Sequence, residues 1–134
     1  MIGYVMIGTN DLDQGARFYD VLLAPLGLVQ VARVETYAAY APKAAKDAIE
    51  FYITTPFDQG PATPGNGTMV ALAASTMQAL EQFHSLGLQN GGSDEGAPGP
   101  RVEGSDICYA YIRDADGNKI CAFYDGAKGQ AADE

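Results

Sequence analysis

YVMIGTNDLDQGARFYDVLLAPLGL, residues 4–28, changes its period partway along. Residues 2–9 alternate apolar with small or polar positions, the two-residue repeat of a strand. From Asn10 onward Leu12, Ala16, Tyr19, Leu22 and Leu26 recur at three- and four-residue steps, which is one face of a helix. Asn10 or Asp11 can cap that helix, and Pro25 and Gly27 close it. A helix with one apolar stripe, entered directly from a strand, has to cover a sheet. Residues 29–34, 36–41 and 48–54 follow, rich in Val, Ile, Tyr or Thr and broken at Pro42 and Pro56, so the order is strand, helix and three strands.

PFDQGPATPGNG, residues 56–67, holds three prolines and three glycines and reads as a linker. After it the order restarts. Residues 68–74 form a strand, and Ser75 with Gln78 is a capping-box signal for a helix carrying Met77, Leu80, Phe83 and Leu86 or Gly87. Residues 89–92 read as a short strand, GSDEGAPGPRVEGSD (92–106) as a glycine-rich loop, and ICYAYIRDADGNKICAFY (107–124) as a hairpin. A shift of 65 residues places Val5 on Val70, Ile7 on Leu72, Leu12 on Met77 and Phe18 on Phe83, which points to duplicated modules. Module 1 covers about 1–55, module 2 about 68–126, and residues 127–134 form a tail to one domain.

The 134 residues suit a single core, and 47% hydrophobic with 19% charged residues is a globular composition. A net charge of −9 with eight scattered basic residues opposes binding to nucleic acid. The apolar runs are far too short to cross a bilayer core of roughly 30 Å, so no membrane partner is expected. The first residues carry no leader-like pattern, and a cytoplasmic location is the expectation. If DADGN closes the hairpin, Arg113 faces Lys119, which offsets Cys108 from Cys121 and leaves two free thiols. DADGN itself is a turn signal, and its acids lack the spacing of a calcium loop.

The segments at 4–28, 66–76 (NGTMVALAAST), 83–101 (FHSLGLQNGGSDEGAPGPR) and 111–124 (YIRDADGNKICAFY) together resemble the vicinal oxygen chelate superfamily of glyoxalases, bleomycin-resistance proteins and extradiol dioxygenases. That resemblance implies an α+β fold in which two βαβββ modules form an open, cupped mixed sheet with helices on its outer face, usually in a homodimer. It also implies a site: metal-using members draw ligands from positions that match Tyr4, Glu50, Met69 and Cys121 here. Only Glu50 is a hard carboxylate ligand, whereas His, His and Glu are usual at the other three. No metal and no other cofactor is therefore expected.

Side-chain alternation supplies a second argument for the same face. Ile49, Phe51 and Ile53 suit the helix layer, leaving Glu50, Tyr52 and Thr54 opposite, and the same rule groups Tyr4 with Met6, Met69 with Ala71 and Cys121 with Phe123. The expected pocket is lined by Tyr, Met and Phe with one acid inside. Buried there, Glu50 would be a candidate general acid or base, or would orient a ligand through Tyr4 or Tyr52. Cys121 has no histidine placed to activate it and reads as a core thiol. His84 falls on the second helix, away from the site, and Arg101 sits where a flap could meet an anionic ligand.

Three functions stay open on these residues. The leading one is a metal-free cavity that binds a small, partly aromatic molecule. The second is a glyoxalase- or dioxygenase-type enzyme with a displaced metal site or with Glu50 acting alone. The third is a dimeric interaction module whose cavity its own side chains fill.

Overall fold

The computed structural model describes residues 1–128 and contains two modules of identical element order. The first is β1 Val5–Gly8, α1 Leu12–Leu23, β2 Leu28–Arg33, β3 Tyr37–Pro42 and β4 Phe51–Thr54. The second is β5 Val70–Ala73, α2 Met77–Gln89, β6 Ser93–Pro100, β7 Ile107–Arg113 and β8 Lys119–Asp125. Each module makes its own four-stranded sheet, ordered β1-β4-β3-β2 and β5-β8-β7-β6, with the first strand parallel to the last and the other pairs antiparallel. The fold is the expected α+β pair of βαβββ modules, and the shift of 65 residues matches the first residues of β1 and β5 and of α1 and α2. Residues 129–134, most of the expected tail, lie outside the described residues.

Local chemistry accounts for the helices. Asp11 caps α1 by accepting from the Gln14 N–H at 3.0 Å, and a 3-10 turn over Ala24–Leu26 stops at Gly27, whose φ of 82° suits a residue without a Cβ. Leu12, Ala16, Tyr19, Leu22 and Leu23 are buried on one face of α1, and Ala79, Leu80 and Phe83 on α2. Beneath them Tyr40, Phe51, Ile53, Ala110, Ile112, Ile120 and Ala122 are fully buried, so alternation sends the opposite residues of every strand to the helix-free face. At Gly87 a Cβ would lie 3.0 Å from Ile112 Cδ1 and 3.2 Å from Leu22 Cδ1, so this glycine lets α2 approach both the sheet and α1.

Three expectations need correction. β1 begins at Val5 rather than at Ile2, because its parallel partner β4 starts at Phe51 and gives the preceding residues no ladder. Thr76, not Ser75, caps α2: the Ala74 N–H is held by the Phe123 carbonyl at 2.7 Å, which keeps the chain extended one residue longer, and Thr76 Oγ1 accepts from the Ala79 N–H at 3.0 Å. The strand placed at 89–92 lies instead at Ser93–Pro100, within the segment expected to be a loop, while α2 continues to Gln89.

No backbone ladder joins the two sheets among the described residues, and the module boundary is held by the DADGN turn. Gly117 takes φ 88° at its tip. Asp114 accepts from the Tyr19 hydroxyl at 2.6 Å and from the Asn118 amide and the Asp116 and Asn118 N–H groups, each at 2.9 Å. Asn118 Nδ2 also reaches the Gly8 carbonyl at 2.8 Å, and Asp116 accepts from Thr9 Oγ1 at 2.7 Å and the Asn10 N–H at 2.9 Å. A turn of module 2 thereby satisfies the end of β1 and the start of α1 in module 1.

Candidate functional site

The helix-free face of module 1 is built around Tyr52. Its ring packs edge-on to Tyr4, centroids 4.9 Å apart, and to Tyr37 at 5.5 Å, while Met6 stands beside it in register on β1. Tyr4 and Met6 remain 58% and 50% exposed in the single chain. On the same face of module 2, Tyr111 stands opposite Cys121 and Tyr109 opposite Phe123 across the β7–β8 pair. The Tyr109 and Tyr111 rings are nearly parallel at 10°, centroids 6.1 Å apart, and Tyr109 meets Phe123 at 6.3 Å.

The four positions matched to the family's ligands do not share one depression. Glu50 is exposed and lines a hollow with Leu28, Leu72 and Ala73, at the far end of β5. Met69, 44% exposed, lines another with Arg113 and Lys119, at the near end of β5. Neither lining includes Tyr4 or Cys121. Glu50 makes no ion pair among the described residues. Among the described residues no three His, Cys, Asp or Glu side chains gather closely enough to hold a metal ion. His84 packs at the edge of α2, its Nε2 2.9 Å from Asp94 Oδ1.

Cys121 is fully buried, and burial pushes its thiol up to about 11, against an opposing pull from the Lys119 and Arg101 cations. It is not paired with Cys108, which faces Tyr124. The thiolate is the reactive form, so Cys121 is expected to resist a disulfide reagent near pH 8 in the native protein and to react fully once denaturant is added. Native labelling of both thiols at the denatured rate would contradict this placement.

A depression of about 360 Å³ lies over the module 2 face, lined by Glu95, Gly96, Arg101, Tyr109, Tyr111 and Lys119 among others. Arg101 donates to the Tyr111 hydroxyl at 3.2 Å, and its guanidinium carbon is 5.6 Å from the Tyr111 centroid, with Lys119 Nζ 5.3 Å from the same centroid. Gly96 permits β6 to lie against this ring, since a Cβ there would come 2.8 Å from Tyr111 Cδ2. Of these residues the sequence pointed only to Arg101. Lys119, Tyr109 and Tyr111 carried a usable signal all the same: in a hairpin pairing Arg113 with Lys119, they share the face of Cys121.

No family model matches the chain, and no curated protein matches it at a significant level. Solved structures do. A glyoxalase/bleomycin resistance protein from Albidiferax ferrireducens T118 is 40% identical, with 92% of this chain and 98% of that chain covered and a TM-score of 0.82. A glyoxalase/bleomycin resistance protein/dioxygenase family enzyme from Burkholderia phytofirmans PsJN is similar in fold at 15% identity, covering 92% and 97% of the two chains with a TM-score of 0.68. Glyoxalase I from Zea mays is similar in fold at 20% identity and a TM-score of 0.69, and 98% of this chain spans 47% of that longer one. The duplicated modules and the extent of the first of these matches lead to one assignment: the chain belongs to the glyoxalase/bleomycin resistance protein family of the vicinal oxygen chelate superfamily.

Proposed function

We propose that this protein binds a small, planar organic molecule on the helix-free faces of its sheets and does so without the family's divalent metal. The observation that carries the reading is the lining: Tyr4, Tyr37, Tyr52, Tyr109, Tyr111 and Phe123 occupy faces where an open sheet would otherwise present polar side chains to water. Such rings supply large contact area and stack on flat partners. The donor set supports the metal-free part. One exposed carboxylate, a phenol, a thioether and a thiol held largely protonated do not suit a hard divalent ion. A homodimer belongs to the same reading, because a second copy would cover the exposed Tyr4, Met6 and Met69.

The test combines metal analysis of protein purified without chelator with a thermal-shift screen of planar aromatic compounds. A ligand held at roughly 100 times its Kd stabilises by about 2.7 kcal/mol, which raises Tm by several degrees in a domain of this size. Expected are substoichiometric metal and a rise in Tm with a subset of the compounds. Stoichiometric metal together with turnover of hemithioacetals or catechols would establish the enzymatic alternative instead.

A further inference from the structure

We infer that Arg101 and Lys119 form the anion-binding end of the module 2 depression, so that the ligand it selects is a planar aromatic carboxylate. This rests on the metal-free binding function proposed above and adds to it the charge and shape of the ligand. The chain carries a net charge of −9, yet two cations converge on one tyrosine ring, at 5.6 and 5.3 Å from its centroid. Neither has a carboxylate partner among the described residues. Glu95, the acid in the lining, is taken by Arg113, which also donates to the Gly117 carbonyl at 2.8 Å.

The face of Tyr111 offers each cation a quadrupole, and its hydroxyl offers Arg101 one lone pair, but neither supplies a full negative charge. Two like charges held at one ring repel each other, and an anion placed between them removes that repulsion. A carboxylate fits the donors: the guanidinium presents a planar fork that matches two oxygens, and the ammonium adds a point charge beside it. The rest of the lining then fixes the remainder of the molecule. Tyr109, nearly parallel to Tyr111, continues the surface toward Phe123 and offers flat apolar area to a ring attached to that carboxylate. A volume of about 360 Å³ is at the lower end for small-molecule pockets, which suits a ligand of one or two rings.

Benzoate and its uncharged counterpart benzamide, titrated calorimetrically into the full-length protein and into the double variant Arg101→Gln/Lys119→Met, separate the contributions. The wild type is expected to prefer benzoate by about tenfold, the preference shrinking as salt is raised, and the double variant to bind the two probes equally. Both substitutions are outside the core cluster, and an unchanged Tm verifies that the variant is folded. Equal binding of the two probes by the wild type, or an undiminished preference in the double variant, overturns the anion site while leaving a pocket for planar molecules in place. Absence of binding by either probe also overturns it. In that case the thermal-shift screen of neutral aromatics decides separately whether the broader binding function survives.

Discussion

Replacing Asp114 by alanine is expected to destabilise the protein by about 4 kcal/mol, because one carboxylate serves four donors at a junction of two sheets that no backbone ladder joins among the described residues. The Tyr19 hydroxyl that points at it is on a side chain 1% exposed, and Asn118 is 5% exposed, so both donors are buried. A buried donor left without an acceptor costs about 1–3 kcal/mol, and the hydroxyl and the turn N–H groups are stranded together. Relief of the repulsion between Asp114 and the nearby Asp116 returns part of that loss, which keeps the expected figure at the lower end of what four such donors would sum to. Asp114→Asn retains one acceptor oxygen and should lose roughly half as much, whereas Tyr19→Phe removes a single donor from a carboxylate that keeps three and should cost about 1 kcal/mol. Urea denaturation reads all three as shifts in midpoint. A loss below about 1 kcal/mol for Asp114→Ala would show that the turn does not hold the modules together.

This junction also marks how far the sequence is legible. Alternation at Val5, Ile7, Phe51 and Ile53 and the 65-residue shift are local signals repeated in both halves, and the Arg113–Lys119 pairing follows from the turn alone. The turn's second role does not follow, since nothing in DADGN says that Tyr19, Thr9 and Gly8 will be its partners. β6 was hidden for a different reason. Its glycines and prolines argue locally for a loop, yet Gly96 is required against the Tyr111 ring, and at Gly92 a Cβ would fall 2.7 Å from the Gly87 carbonyl oxygen. Its ladder with β7 is interrupted twice, so no regular period marks it. The site was legible as a set of faces and not as a point. Family position puts Tyr4, Glu50 and Met69 at the starts of β1, β4 and β5, each one residue ahead of its ladder, and Cys121 on β8, but does not say which strand ends meet, and Glu50 lies with Ala73 whereas Met69 lies with Lys119. Arg101 and Lys119 are brought together only by the pairing of β6 on β7 and of β7 on β8.

Stability is expected to fall steeply above pH 9, losing about 5 kcal/mol by pH 11, a loss comparable to the whole stability of a marginal small domain. Three acidic protons are responsible. Tyr19 is held well above its ordinary value of 10.0 by burial and by the negative charge of Asp114, and Tyr40 is raised by burial and by Asp20, whose carboxylate accepts its hydroxyl at 2.9 Å. Cys121 is raised by burial from 9.0 to about 11. In every case the folded group keeps its proton at a pH where the unfolded one has released it. The stabilisation is therefore complete below the unfolded values and declines as pH rises toward the folded ones, first through Cys121 from pH 9 and then through both tyrosines from pH 10. Each group adds a slope of about 1.4 kcal/mol per pH unit while only its unfolded form is ionised. Tyr40→Phe should thus be less stable than wild type at neutral pH, having lost its bond to Asp20, yet should show a shallower decline above pH 10 by one group's share. Denaturant midpoints measured across this range give the slope, and phenolate absorbance gives the event, since Tyr19 and Tyr40 should ionise only as the chain unfolds. A flat stability profile to pH 11, or a Tyr40→Phe variant with the full wild-type slope, would remove the buried hydroxyls as its cause.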